Sequence, residues 1–272
     1  MAKVITISIS KGGVGKTTTA INLAAEFGLH GKKVLLIDTD EQGNSTFSAT
    51  GLTKENFAGK GLFDMMRSFD ILPPSNFVSE TRIQNTDIIP ANLLTGQVLH
   101  QLPILKSQYG YPEYVYLAAC LEKLKEQYDV IIIDTPPAKN NLTLSAIYAA
   151  DEVLIPVKPD KYSMDSLSET ITMIETINKN EGTDIKVLGI LLTLVEKTSL
   201  TNALRETLLA SDFKDILLCA EIRKAQAVND STAMGMPVVV YDPKSNPAID
   251  YEILYKEIVK KLEPDSSNKE EE

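Results

Sequence analysis

The apolar run Val4-Ile5-Thr6-Ile7-Ser8-Ile9 passes directly into Ser10-Lys11-Gly12-Gly13-Val14-Gly15-Lys16-Thr17-Thr18, after which apolar residues recur at helical spacing as far as Leu29. No other feature restricts the fold as much. A β-branched run, a glycine cluster and an amphipathic segment in that order predict a buried strand, a tight loop and a helix over Thr17 to Leu29. Gly31 closes the helix. Lys33-Val34-Leu35-Leu36-Ile37-Asp38 then predicts a second strand, whose unbroken apolar character means cover on both faces. Parallel strands joined through a helix require a right-handed crossover, so this opening segment already implies a layered sheet.

The alternation continues along the chain. A helix is expected over Tyr116 to Gln127, a central parallel strand over Asp129-Val130-Ile131-Ile132-Ile133-Asp134, a helix over Asn141 to Ala150 and a strand over Glu152-Val153-Leu154-Ile155-Pro156. Ser166 to Asn178 reads as an amphipathic helix, Lys186 to Leu194 as a strand, and Tyr251 to Leu262 as a closing helix packed on the core. Between Gly43 and Leu94, Gly, Pro and Asn interrupt short apolar runs. Loops and short elements are expected there, with a strand near Thr86-Asp87-Ile88-Ile89-Pro90. The expected fold class is α/β: a doubly wound, mostly parallel sheet with helices on both faces. With 272 residues, 43% of them hydrophobic, the chain can bury one full core, which points to a single domain over residues 1–263. Residues 264–272 are polar and acidic and are expected to be disordered.

Composition narrows the function classes. The apolar runs are short and broken by charges, and Met1-Ala2-Lys3 leads straight into the first strand. A soluble, cytoplasmic protein is therefore expected, without a membrane span or secretory leader. Cys120 and Cys219 stand far apart with no neighbouring His or Cys, which speaks against a metal cluster or a disulfide framework. The net charge of −10 excludes a protein that is basic all over, so any nucleic-acid binding would use a local patch.

The glycine loop carries the chemistry. Set between a buried strand and a helix, it turns successive backbone N–H groups towards one point at the positive end of the helix, which is what cradling a polyphosphate requires. Gly12, Gly13 and Gly15 let the backbone come close, and Lys16 can place its ammonium on the β- and γ-phosphates. The Thr17 hydroxyl suits Mg2+, and Thr18 can donate to the α-phosphate. A glycine turn that merely caps a helix is the plainer reading; Gly-Lys-Thr after an apolar strand argues against it. Asp38 and Asp40 fall at the carboxyl end of the second strand, the edge at which open α/β sheets bind ligands. Asp134 ends its strand before Thr135-Pro136-Pro137. Such sparse carboxylates, completed by phosphate oxygens and water, suit Mg2+ and would not make a Ca2+ or Zn2+ cage.

Ser10 stands where the ordinary phosphate loop has glycine, and Lys11 follows it. The run Lys11-Gly12-Gly13-Val14-Gly15-Lys16-Thr17-Thr18 resembles the deviant Walker A motif of the ParA/MinD class of P-loop ATPases. The resemblance implies ATP and Mg2+ as ligands, held by these same residues, and an ATP-dependent homodimer that sandwiches two nucleotides. It implies that Lys11 reaches the partner's nucleotide, in the role an arginine finger plays elsewhere. Asp38-Thr39-Asp40-Glu41-Gln42-Gly43-Asn44 resembles the family's second motif, which implies that Asp40 orients the attacking water and Asp38 supports the metal. Glu41 departs from the proline common there, implying a change in loop stiffness without loss of chemistry. The Asp134 segment resembles Walker B, so Thr17, Asp38 and Asp134 form the implied metal set, and Lys11, Lys16 and Asp40 the implied catalytic set.

Other segments, among them Leu188-Gly189-Ile190-Leu191-Leu192-Thr193, Gly235-Met236-Pro237-Val238 and Tyr241-Asp242-Pro243-Lys244-Ser245, resemble ParA/Soj more than MinD. A chain that begins at its first strand is similar to the short ParA type without an N-terminal helix-turn-helix. The implied function is DNA partition: an ATP-bound dimer holds nonspecific DNA on the nucleoid until a ParB-type centromere-binding partner stimulates hydrolysis, segregating plasmid or chromosome DNA. Arg223 and Lys224 match part of the family's basic run and are the expected DNA contacts, while a further arginine position falls on Ala227. Thr193 is expected near the adenine. No membrane attachment is expected, because the last helix leads into an acidic, proline-interrupted tail. Cys120 and Cys219 do not match the pattern of an iron–sulfur reductase. The alternative is an ATP-switched positioning or adaptor ATPase, MinD-like or of polarity type, that does not bind DNA.

Overall fold

The computed structural model describes residues 1–262, so the expectation for residues 264–272 lies outside the described residues. Eight strands form one sheet: β1 (Lys3–Ile7), β2 (Val34–Asp38), β3 (Ser79–Glu80), β4 (Thr86–Ile89), β5 (Val130–Asp134), β6 (Glu152–Val157), β7 (Lys186–Val195) and β8 (Leu217–Arg223). Their spatial order is β3-β4-β2-β5-β1-β6-β7-β8, and every pairing is parallel except that of the short β3 with β4. This is the α/β sheet expected from the sequence.

The period-two geometry of a strand explains why both faces are covered. Val34 and Leu36 of β2 and Val130 and Ile132 of β5 pack with the helices Lys16–Leu29 and Asn246–Leu262. Leu35, Ile37, Ile131 and Ile133 point the other way, into a core completed by the helices Leu62–Arg67, Val98–Tyr109, Val115–Glu122 and Asn141–Tyr148. A third cluster, containing Ile155, Ile190 and Leu192, lies under Ser163–Glu181 and Ser199–Leu209. Helix Lys16–Leu29 comes very close to the turn before β4: a Cβ on Gly28 would lie 2.1 Å from the Gln84 carbonyl oxygen, so only glycine fits.

Several boundaries differ from the sequence expectation. β1 ends at Ile7, and Ser8 and Ile9 already run into the loop. The region from Gly43 to Leu94 holds the short helices Asn44–Thr50 and Leu62–Arg67 besides β3 and β4. Arg223 ends β8 and Lys224 follows it.

β8 is an edge strand, with exposed N–H groups that would invite another strand to pair. The last helix closes this edge with carboxylates. Glu257 accepts from the N–H groups of Cys219 and Ala220 at 2.9 and 2.8 Å, and Asp250 accepts from the Arg223 N–H at 2.9 Å. Glu257→Ala is therefore expected to lower unfolding free energy by about 2 kcal/mol, and Glu257→Gln by less, because an acceptor remains. The midpoints of urea denaturation measure both; equal midpoints for wild type and Glu257→Ala would show that water replaces the carboxylate without loss.

Candidate active site

The register of the three central strands builds the site. Ile7 of β1 and Asp38 of β2 both lie level with Asp134 of β5, so the glycine loop begins beside two adjacent carboxylates. The loop is pinned on both sides. Thr135 Oγ1 donates to the Ile7 carbonyl at 2.8 Å, and Thr193 Oγ1 donates to the Val14 carbonyl at 2.8 Å. Gly13 and Gly15 take φ of +65° and +81°, the left-handed region that a side chain would strain. Helix Lys16–Leu29 starts at Gly15 with no side chain capping its first turn, so its free N–H groups face the loop.

Lys16 is buried, and its Nζ donates to the Lys11 carbonyl oxygen at 2.7 Å. Burial lowers its pKa, while Asp134 and Asp40 work in the opposite direction. Asp38 is fully buried: Oδ2 accepts from the Thr46 N–H and hydroxyl at 2.8 and 2.7 Å, and Oδ1 accepts from the Asp40 N–H at 3.2 Å. Asp134 Oδ2 accepts from the Ser45 hydroxyl at 2.8 Å. Burial pushes both Asp38 and Asp134 upward, and their nearness to other carboxylates adds to this; the hydroxyl groups around them pull back only in part. Asp40 is turned into its own loop, Oδ1 accepting from the Gln42 N–H at 3.0 Å.

One atom stands apart. Asp134 Oδ1 is buried without a hydrogen-bond partner among the described residues. A buried carboxylate oxygen left unpaired is costly, and a cation or its water would satisfy it. Thr17, Asp38 and Asp134 therefore fit a divalent ion that takes few protein ligands. Among the described residues no group of three or more His, Cys, Asp or Glu side chains is arranged to hold a metal ion.

Lys11 does not extend freely from the loop. It pairs with Asp160, and the ring of Tyr162 lies 6.0 Å from its Nζ. Asp160 also accepts from the Ser163 hydroxyl at 2.9 Å and the Tyr162 N–H at 3.0 Å. Burial disfavours its charge, but Lys11, Ser163 and Tyr162 outweigh this and hold the carboxyl below its ordinary value.

Beside Thr18 opens a cavity of about 310 Å3 whose lining includes Gly15, Thr193, Leu194, Ile222, Arg223 and Lys224. Arg223 and Lys224 are thus at the mouth of the loop, and each is paired: Arg223 with Asp250, Lys224 with Glu196 at 3.1 Å. A groove of about 980 Å3 lies at the other end of the sheet, at Lys3, Glu152 and Lys186, away from the glycine loop. Sequence reasoning missed Ser45, Thr46 and Asp160. The first two directly follow Asn44, so the motif needed only to be read further; Asp160 lies 149 positions from Lys11 and carries no local signal.

The family described as an AAA domain matches residues 2–187. The sporulation initiation inhibitor protein Soj of Bacillus subtilis is 35% identical over 260 residues, which cover 95% of this chain and 98% of Soj. The chromosome partitioning protein ParA of Myxococcus xanthus is 31% identical over 268 residues, 98% of this chain and 91% of that protein. The solved structure of the cell division ATPase MinD of Pyrococcus furiosus is similar with a TM-score of 0.74 at 25% identity, covering 96% of this chain and 99% of that one. A glycine loop between β1 and an uncapped helix, facing register-paired carboxylates, is the local counterpart of that overall likeness, and this chain belongs to the ParA/Soj family within the ParA/MinD class of P-loop ATPases.

Proposed function

We propose that this chain is a partition ATPase: with Mg2+ it binds ATP at the Lys11–Thr18 loop, closes a homodimer that retains nonspecific DNA, and releases it when a ParB-type centromere-binding partner stimulates hydrolysis. The observation that carries the reading is the unpaired Asp134 Oδ1, buried beside Lys16 and an uncapped helix start. The likeness to Soj and ParA over nearly the whole chain supports the choice of cargo. Thr17, Asp38 and Asp134 would hold Mg2+, which supplies charge neutralisation at the β- and γ-phosphate oxygens. Lys16 exchanges the Lys11 carbonyl for phosphate oxygens, an exchange favoured because a buried ammonium gains more from an anion than from a neutral acceptor. Asp40 holds the attacking water, and Lys11 of each subunit meets the nucleotide of the other. The protein acts in the cytoplasm, on the nucleoid while ATP is bound. Among the described residues no helix is long and apolar enough to cross a membrane.

A positioning ATPase that does not bind DNA is the second reading. It is favoured by the net charge of −10 and by the carboxylate partners of Arg223 and Lys224. Retention on random-sequence DNA at one moderate salt concentration, with ATP, with ADP and without nucleotide, separates the two. Retention only with ATP, prolonged in Asp40→Ala, is the expected result; ATP-dependent dimerisation without retention would favour the second reading.

Lys16→Ala is expected to reduce ATP turnover by about 100-fold or more, the scale of losing one charge-stabilising donor in an active site. Turnover close to wild type in a single-turnover assay would remove Lys16 from the mechanism.

For Lys11 to act in trans it must first leave Asp160. Asp160→Asn is thus expected to promote dimerisation, lowering the ATP concentration for half-maximal dimer severalfold, in line with about 1 kcal/mol for a partly exposed ion pair. Sedimentation across an ATP series measures the shift; an unchanged or raised midpoint would mean that Asp160 does not restrain Lys11.

A further inference from the structure

The turn that carries Asp40 is held by bonds that set its shape and by one that sets its place. Asp40 Oδ1 accepts from the Gln42 N–H at 3.0 Å, the Asp40 carbonyl accepts from the Gly43 N–H at 3.0 Å, and the Asp40 N–H donates to Asp38 Oδ1 at 3.2 Å. All three stay within residues 38–43. The bond that reaches beyond them comes from Lys54, 13 positions after Glu41, whose Nζ donates to the Glu41 carbonyl at 2.6 Å. The stem of Lys54 also packs on the turn: a Cβ on Gly43 would lie 3.1 Å from Lys54 Cβ, and Gly43 takes a left-handed φ of +70°. Lys54 is itself seated in a turn, closed by the Asn56 and Phe57 N–H groups, which both donate to the Thr53 carbonyl at 2.9 Å. Asp40 is buried, while Glu41 and Gln42 beside it are exposed, so the link meets the turn from its solvent side. Phosphate binding gives this link no task.

We propose that Lys54 is a positioning residue for hydrolysis: through the Glu41 carbonyl it fixes the peptide next to Asp40, and with it the place from which the Asp40 carboxylate holds the attacking water. This rests on the role given to Asp40 above. A carboxylate that orients water works only within hydrogen-bond reach of it, and a displacement of about 1 Å can cost roughly 100-fold in rate. A turn bonded only to itself can shift as a unit. A charged donor from a separate segment removes that freedom, because such bonds are stronger than those between neutral groups. Lysine suits the task, since its long stem delivers an ammonium to a carbonyl without bringing a negative group towards the phosphates. The link runs through the backbone of residue 41, so the Glu41 side chain is not part of it.

Single-turnover hydrolysis of Mg–ATP by the full chain, read beside ATP affinity from calorimetric titration, tests this. Lys54→Met is expected to slow the hydrolytic step about fivefold while ATP affinity stays within about twofold, because an interaction that matters in the transition state alone lowers the rate without weakening binding. Lys54→Arg, which keeps a charged donor, is expected to retain most of the rate, and Glu41→Ala, which keeps the carbonyl, to match wild type. An unchanged rate in Lys54→Met would overturn the proposal. So would equal loss of rate and affinity, the mark of a merely structural contact, or a loss in Glu41→Ala as large as that in Lys54→Met. Asp40→Ala in the same assay keeps the two roles apart. Near-wild-type hydrolysis there would overturn the role of Asp40 and this proposal with it, whereas a slow Asp40→Ala beside an unaffected Lys54→Met would overturn the proposal alone.

Discussion

Two carboxylates withdrawn from water on adjacent strands set the terms for the rest of this structure. Asp38 and Asp134 stand level with each other because β2 and β5 pair in register, and both strands are too deeply buried for either group to reach solvent. Taking a carboxylate out of water costs several kcal/mol unless charge or hydrogen bonds replace the lost hydration. Here Thr46, Ser45 and the Asp40 N–H provide part of that replacement, and Lys16 provides the nearby positive charge. One oxygen remains without a partner. A fold selected for stability alone would have no reason to keep it; a site that takes a hydrated cation has one.

The glycine loop is preorganised by residues from distant parts of the chain. Thr135 holds its beginning, Thr193 holds Val14, and Asn22 donates to the Thr18 carbonyl at 2.8 Å while accepting from the Val239 N–H at 3.1 Å. Each such bond is worth on the order of 1 kcal/mol; the two threonine bonds tie the loop to the ends of β5 and β7, and Asn22 ties the helix that follows the loop to the segment at Val239. Donors fixed before a ligand arrives need no reorganisation when charge develops, which is where electrostatic catalysis gains most.

The legibility of this architecture in the sequence followed burial. β2 and β5 are apolar at every position but the last because helices cover both their faces, so their runs stood out, and each ends in an acid that faces the loop. The glycine motif was legible because phosphate cradling depends on neighbours in sequence. β8 was not read as a strand: it is an edge, Cys219 and Arg223 are exposed, and carboxylates from the last helix replace a neighbouring strand. Helix Val98–Tyr109 was not read either, since it contains Pro103 and buries only Val98, Leu102 and Leu105. The partners of Lys11 and Arg223 were invisible for another reason. Asp160 and Asp250 lie 149 and 27 positions away, and nothing local in the sequence distinguishes them from the chain's other acids.

Four cations around the ligand end of the sheet, Lys16 not among them, share one property. Lys11 and Lys158 both meet Asp160, Lys224 meets Glu196 and Arg223 meets Asp250. At these four side chains a polyanion competes with carboxylates already in place, whereas Lys16 holds only the Lys11 carbonyl. Its binding energy is the difference between two ion pairs and not the full strength of one, and where the existing pair is partly exposed that difference is small. Such an arrangement suits reversible use. The pairs that can be exchanged are those with solvent-accessible partners, Lys11–Asp160 and Lys224–Glu196, whereas Asp250 is buried and bound to Arg223 through both oxygens. The same surface therefore combines two kinds of cation: lysines that can change partner with ligand state, and an arginine held in one position throughout.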